Sequence, residues 1–307
     1  MTLSGKIFQI DARRVSGIIE DFIRKELGAM NRGGIVVPIS GGLDSSVVSA
    51  LCVHAVGKDR VVGLMLPERE GNPEAELYSE ILIESLDIER KEIDISRELE
   101  VFGTYEFALS RIPTRFLKKF AVKGALNFSK ANPFWRGMRG EGGEFVRKGM
   151  AHFYIKNRVR FVVACKFAEE NSLMLVGCAH KSEDMVGLFV KYGVDDLADV
   201  MPLKNLYRSH ILQLARYLGI PHEIIIRPPN PDIIPGVEDK YKDMLGLESE
   251  TLDLILYGLN IKMPSKIIAR ELKIKEQMVK DIEGLSAATY HMRNHSRGPE
   301  LEELSID

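Results

Sequence analysis

Cysteine, tryptophan and charge excess are all scarce in this chain of 307 residues, which holds three cysteines, one tryptophan, and 42 Lys and Arg against 44 Asp and Glu. Cys52, Cys165 and Cys178 lie far apart, form no CxxC pair and sit among apolar residues. That spacing argues against a disulfide framework and a thiolate zinc site, and the cysteines read as buried thiols. A net charge of −2 supplies no bulk field for a polyanion, so neither nucleic acid nor a membrane surface is an expected partner. No apolar run reaches the roughly 18 to 20 residues that cross a bilayer. The start, Met1-Thr2-Leu3-Ser4-Gly5-Lys6, lacks the apolar core of a secretory signal, and a cytoplasmic location is expected. There is no internal repeat. With 45% hydrophobic residues the remainder is an ordinary globular composition, long enough for one large α/β domain or two small ones.

The most informative stretch is Val36-Val37-Pro38-Ile39-Ser40-Gly41-Gly42-Leu43-Asp44-Ser45-Ser46-Val47. An apolar strand runs into two glycines, a carboxylate and hydroxyls, then becomes a helix. Adjacent glycines let the backbone approach phosphate, and the helix start offers free N–H groups and the positive end of its dipole. Ser40, Ser45 and Ser46 add hydroxyl donors. Asp44 repels phosphate unless a hard cation bridges the two, which points to Mg²⁺. The bend carries neither the Gly-Lys-Ser/Thr ending of a Walker loop nor a Gly-x-Gly-x-x-Gly fingerprint. An ordinary strand-to-helix turn is the plainer alternative.

Apolar spacing predicts a helix over about 11–27, a strand over 35–39, a helix over about 45–56 and a strand over 61–66. A helix over 74–86 and a strand over 89–95 complete the rhythm of a parallel sheet covered on both faces. Ligands bind such sheets at the carboxyl ends of the strands, which places Ser40 to Ser46 beside Leu66 to Glu70. The second half predicts a helix over about 152–171, a strand over 173–177, a helical stretch from 183 to about 192 and a helix over 208–218. Ile224 to Ile226 is a strand or a helix end, 252–285 is helical, and the tail from Gly298 is acidic. Between the halves, 111–150 is rich in arginine, lysine and aromatics, with Glu141 and Glu144 as its acids. It reads as a solvated insertion or lid, with a phosphate or RNA grip as the alternative.

The bend resembles the Ser-Gly-Gly-x-Asp-Ser loop of the N-type ATP pyrophosphatases, which adenylate an acceptor oxygen and release pyrophosphate. That resemblance implies an adenine nucleotide alpha-hydrolase-like fold and leaves the acceptor open. Further on come Gly177-Cys178-Ala179-His180-Lys181-Ser182-Glu183, Phe189-Val190-Lys191-Tyr192-Gly193, Asp199, Met201-Pro202-Leu203 and Arg227-Pro228-Pro229-Asn230. With Arg158-Val159-Arg160 upstream and His295-Ser296-Arg297 downstream, their order and spacing closely resemble the ammonia-dependent NAD synthetases over most of the chain outside 111–150.

The resemblance implies one domain spanning 1–307, with a helical C-terminal segment from about 240. It implies ATP and Mg²⁺ as cofactors and deamido-NAD and ammonia as substrates, and a homodimer. With about 35 residues upstream of the bend, nitrogen is expected as free ammonia or from a separate glutaminase subunit. It assigns Asp44 and Glu183 to the metal, and Asp44 and Arg208 to catalysis. Ile39, Ser40, Gly41, Gly42, Leu43, Asp44, Ser45, Ser46, Leu66, Cys178, Arg208 and Asn230 fall to ATP, and Arg158, Lys191, Asp199, His295 and Ser296 to deamido-NAD.

Several positions depart from that family's pattern. Val194-Asp195-Asp196-Leu197 replaces Asp-Gly-Gly and is one residue longer, Cys178 replaces a threonine, Arg208 and Ser296 each replace a lysine, and Asn230 replaces a threonine. These fall mostly on the acceptor side, so a paralogue that adenylates another carboxylate is the alternative. A tRNA-modifying relative using Cys178 as a sulfur carrier is a second competitor, weakened by the missing CxxC pair. The stretch 265–282 could pass for a helix-turn-helix, although it lacks a turn glycine; helix packing is the expected reading.

Overall fold

The computed structural model describes residues 3–107, 110, 112, 117, 133–231, 234 and 236–294. Most of 111–132 and the acidic tail lie outside the described residues.

Four parallel strands, β1 (Gly34–Pro38), β2 (Val61–Met65), β3 (Glu89–Glu92) and β4 (Leu173–Leu175), form a sheet in the order β3-β2-β1-β4. Ile35 stands opposite Val61 on one side and Met174 on the other. The central strands are apolar throughout because both faces are covered. Ile35 and Val37 enter one core with Ile23 and Leu27 of α1 (Ala12–Ala29) and Val47 and Leu51 of α2 (Leu43–Val56). Leu82 of α3 (Pro73–Leu86) joins the same core. Val36, Leu64 and Leu175 point the other way, against Leu99 of α4 (Ser96–Val101) and Val159 and Ala164 of a long helix. Strand β3 is exposed along its length and charged at every position, which protects an open edge. It ends at Glu92 rather than Ile95: Ile93 N–H still reaches Met65 O at 3.0 Å, but Asp94 accepts from Ser96 N–H at 2.7 Å and starts α4.

After α5 (Pro133–Met138) the long helix α6 runs Glu144–Glu170, beginning eight residues before the predicted start. The helix α7 (Lys181–Val186) stops short of the predicted end near Tyr192, because Gly187 turns left-handed at φ 71°. A β-carbon there would meet Met138 Cε at 2.6 Å, so only glycine fits. Next come α8 (Val194–Leu197), α9 (Arg208–Tyr217) and α10 (His222–Ile226), the last a helix where sequence left strand and helix open.

The predicted helical run 252–285 is broken into α12 (Ser249–Asn260), α13 (Ser265–Leu272) and α14 (Glu276–Ala288), which follow α11 (Lys240–Leu245). The breaks fall at Lys262 and Lys273, both left-handed, so no glycine announces them. Ile268 of α13 and Val279 and Ile282 of α14 pack with Leu252 and Ile255 of α12 in a second core, as helix packing rather than a groove-reading pair requires.

Asp253, fully buried on α12, ties this helical core to the sheet. It accepts from Ser182 Oγ on α7, and from Ser209 N–H (2.8 Å) and Oγ (2.6 Å) on α9. Ser182 Oγ in turn accepts from Arg208 N–H at 3.0 Å. Asp253→Ala leaves these donors buried without an acceptor and is expected to cost about 3 kcal/mol of unfolding free energy, read by urea denaturation.

Candidate active site

Strand β1 is flanked by β2 on one side and β4 on the other, so the loops that leave β1 and β4 diverge and open a crevice at their carboxyl ends. A cavity of about 300 Å³ lies there, bounded by Ile39, Ser40, Gly42 to Ser45, Leu66, Cys178, Glu183, Arg208, Asn230 and Lys240 among others.

The bend after β1 is shaped by Gly41, at φ 70°, where a β-carbon would come 2.4 Å from Ala75 O on α3. Gly42 is the N-cap of α2 and has no side chain with which to cap it. The first N–H groups of a fourteen-residue helix are therefore left for an anion. Ser40 and Ser45 stand at the cavity wall with their Oγ atoms 3.3 Å apart. Ser46 is fully buried, and its hydroxyl turns inward to Gly42 O at 2.8 Å. Arg227 donates to Gly41 O at 3.2 Å and lies 4.8 Å over the Tyr78 ring.

The floor holds the charges. Arg208 Nη1 lies 3.4 and 3.5 Å from the two carboxylate oxygens of Asp44. Fully buried His180 places Nε2 3.8 Å from Asp44 Oδ1 and 3.6 Å from Glu183 Oε2. The Lys240 ammonium pairs with Glu183 Oε1, and Tyr241 OH is 3.3 Å from His180 Nε2. Burial works to raise the Asp44 carboxyl, yet His180, Arg208 and Lys240 together hold it below the ordinary carboxylate value. Burial also acts against the Arg208 and Lys240 cations, and the facing carboxylates hold both above their usual values. Asp195, on α8, goes the other way: burial and the neighbouring Glu183 push it up to about 6. Cys178 is pushed well above the ordinary thiol value by burial, so its sulfur stays protonated and a poor nucleophile.

Ligand atoms of Asp44, His180 and Glu183 lie within 4.8 Å of one another. Two carboxylates at the mouth of a phosphate seat fit a hard divalent cation that keeps its remaining positions for phosphate oxygens and water.

The residues expected for deamido-NAD are engaged in contacts of their own. Arg158 Nε donates to Lys191 O at 3.1 Å, and its guanidinium lies 5.5 Å from the Tyr154 ring. Lys191 Nζ reaches His291 O at 2.8 Å and Asn294 O at 3.3 Å. Asp199 accepts from Leu175 N–H at 2.8 Å, closing the end of β4. These three do not bound the cavity, and His295 and Ser296 lie outside the described residues. Sequence reasoning passed over Lys240, His180, Asp195 and Arg227. The latter three sit inside stretches it quoted, and His180 precedes Glu183 by three residues at a strand end, whereas Lys240 carried no local signal.

An uncapped helix N-terminus at a parallel sheet's switch point, with paired carboxylates and cations beneath it, defines an α/β enzyme that handles a nucleotide's phosphates. Comparison with known proteins narrows this class. The profile of the NAD synthase family matches residues 15–296. The NH(3)-dependent NAD(+) synthetase of Coprothermobacter proteolyticus is 40% identical over 248 residues, covering 78% of this chain and 83% of its own. That of Methanocaldococcus jannaschii is 31% identical, covering 92% of this chain and 95% of its own. Among solved structures, the NMN synthetase of Francisella tularensis superposes with a TM-score of 0.69 at 20% identity, covering 95% of this chain and all of its own. The NH3-dependent NAD synthetase of Campylobacter jejuni superposes at 0.65 and 21%, covering 96% and all of its own; both likenesses speak to fold. The chain belongs to the NAD synthase family.

Gly41→Ala forces a side chain into left-handed backbone against α3, a strain of about 1–3 kcal/mol. ATP binding is expected to weaken about tenfold or more, read by isothermal calorimetry.

Proposed function

We infer that the protein is an ammonia-dependent NAD synthetase, a ligase that uses ATP to amidate the nicotinate carboxylate of deamido-NAD, with NAD, AMP and pyrophosphate as products. The observation that carries this reading is the uncapped start of α2 opening into a cavity that also holds Asp44, Glu183 and Arg208. It is joined by close kinship to proteins of that name.

The nicotinate carboxylate is a poor electrophile because oxide would have to leave. Its oxygen attacks the α-phosphorus of ATP, the bond to the bridging oxygen of pyrophosphate breaks, and the carboxyl carbon now carries AMP as leaving group. Ammonia then bonds to that carbon, AMP departs, and the nitrogen sheds its extra protons. The helix N–H groups after Gly42, with the hydroxyl of Ser40, hold the phosphates, while the Ser45 hydroxyl donates to Gly42 O at 3.1 Å and braces the bend. The guanidinium of Arg208 faces the charge that develops as pyrophosphate separates. Asp44 and Glu183 would hold Mg²⁺, which when bound supplies positive charge to the phosphates. Asp195 has its proton affinity raised and opens on the same cavity, so it is the carboxylate suited to take a proton from the attacking nitrogen.

Arg158 and Lys191 do not bound this cavity themselves but follow Asn157 and Val190, which do, and the long helix that carries Arg158 also carries exposed Phe145 and Val162. A homodimer in which they meet deamido-NAD fits that placement. Nitrogen comes as free ammonia or from a separate glutaminase subunit, and the enzyme works in the cytoplasm. Among the described residues no helix is long and apolar enough to cross a membrane.

Purified protein given ATP, Mg²⁺, deamido-NAD and ammonium is expected to form NAD, AMP and pyrophosphate in equal amounts. Pyrophosphate release with nicotinate mononucleotide or another acid, and none with deamido-NAD, would reassign the acceptor. Asp44→Asn is expected to lower kcat about 100-fold or more. For Asp195→Asn a loss of about 100-fold is expected in amidation, with adenylation, followed as pyrophosphate exchange, spared.

A further inference from the structure

Lys240 faces the carboxylate expected to take the metal. Its ammonium pairs with Glu183 Oε1, and its side chain is 15% exposed, at the wall of the nucleotide cavity. Glu183 and Asp44 present oxygens within 4.8 Å of one another, with His180 between them. Two carboxylates so placed repel unless cations stand against them. Arg208 meets that need at Asp44, held by a backbone that Ser182 fixes. At Glu183 the need is met by Lys240.

The two cations differ in how they are held. Both lie 5.5 Å over the Tyr241 ring, but Arg208 is 5% exposed and spreads its charge over a rigid planar fork. Lys240 is the first residue of α11: its N–H donates to Pro229 O at 3.0 Å, and Asp239 caps the helix by accepting from Tyr241 and Lys242 N–H. Its main chain is thus anchored while a four-carbon stem carries a compact, strongly hydrated charge, close in character to a small metal ion.

Resting on the nucleotide-site reading above, we propose that Lys240 is a tethered cation that occupies the divalent-metal position against Glu183 and is displaced from it when the metal loads. The displaced ammonium remains in the same cavity and becomes a counter-ion for the pyrophosphate as it leaves. Lys240 therefore competes with free metal, keeps the floor assembled without it, and contributes to the reaction once moved.

The test is metal binding without substrate. Free Mn²⁺ is titrated into the nucleotide-free full chain and followed by electron paramagnetic resonance. Lys240→Met removes the competitor and is expected to raise Mn²⁺ affinity about tenfold or more, while Lys240→Arg stays near the parent. Lys240→Gln keeps a hydrogen-bonding partner for Glu183 should the methionine variant not fold, and is expected to show the same rise. Glu183→Gln is expected to remove the tight site in every background. In the parent assay Lys240→Met also lowers kcat for pyrophosphate release while KM for ATP changes less. Unchanged or weaker Mn²⁺ affinity in both neutral variants would overturn the proposal. Because the titration needs no acceptor, raised affinity in a protein that makes no NAD would defeat the functional reading and leave the role of Lys240 standing.

Discussion

Two ion pairs set against one buried imidazole hold the molecule's working end together. Asp44 arrives on the helix after β1, Glu183 on the helix after β4, Arg208 at the start of α9 and Lys240 at the start of α11, so four distant parts of the chain meet at His180. Charges at this depth are tolerable because each has a partner, and removing any one leaves another uncompensated. The same pairs dock the C-terminal helices onto the sheet. Asp253 reinforces them from behind, binding Ser182 and Ser209 with one carboxylate, so the residues carrying Glu183 and Arg208 are registered to each other through a third helix. Packing and chemistry thus share one set of contacts.

How much of this is legible in the sequence follows from where the determinants lie. Strands β1 and β2 announce themselves because both faces are buried and every position is apolar. The bend over Ser40 to Asp44 is equally plain, since two glycines before a helix leave its N–H groups without a cap. The break at Lys262 is announced by Pro264, which caps the next helix and cannot continue the one before it, whereas the break at Lys273 is hidden, because lysine in left-handed backbone looks like any helix residue. The early start of α6 is hidden likewise, in a stretch whose basic composition suggested a solvated loop. Within the site, residue order identifies Asp44, Glu183 and Arg208, whose side chains converge. It cannot tell that the Ser46 hydroxyl is spent on Gly42 O, or Asp199 on the amide of Leu175. Nor does it signal Lys240, an unremarkable lysine until α11 folds back.

The sequence departures acquire a physical meaning in place. Val194 to Leu197 form the short helix α8, with Asp196 accepting from Tyr192 N–H at 2.7 Å. The longer loop is taken up as that turn of helix, and its effect is to bring Asp195 to the cavity wall, so a stretch that breaks the family pattern still delivers a carboxylate. Cys178 exchanges a hydroxyl for a protonated thiol on the same wall that Asp195 reaches, so a strong donor gives way to a weak one there.

Rigid and adjustable parts of the cavity divide along the chain. The phosphate seat is main chain at a helix start wedged against α3, with no rotamers to reset. On the opposite side, where Arg227, Pro228, Pro229, Asn230, Pro231 and Lys240 bound the cavity, two cations make the fastenings: Arg227 at the Gly41 carbonyl, Lys240 at Glu183. Both fastenings are charge-assisted contacts, one to a main-chain carbonyl of the bend and one to a buried carboxylate, so any charged ligand entering the cavity would meet that side at its two anchor points, while the bend beneath is fixed by its backbone.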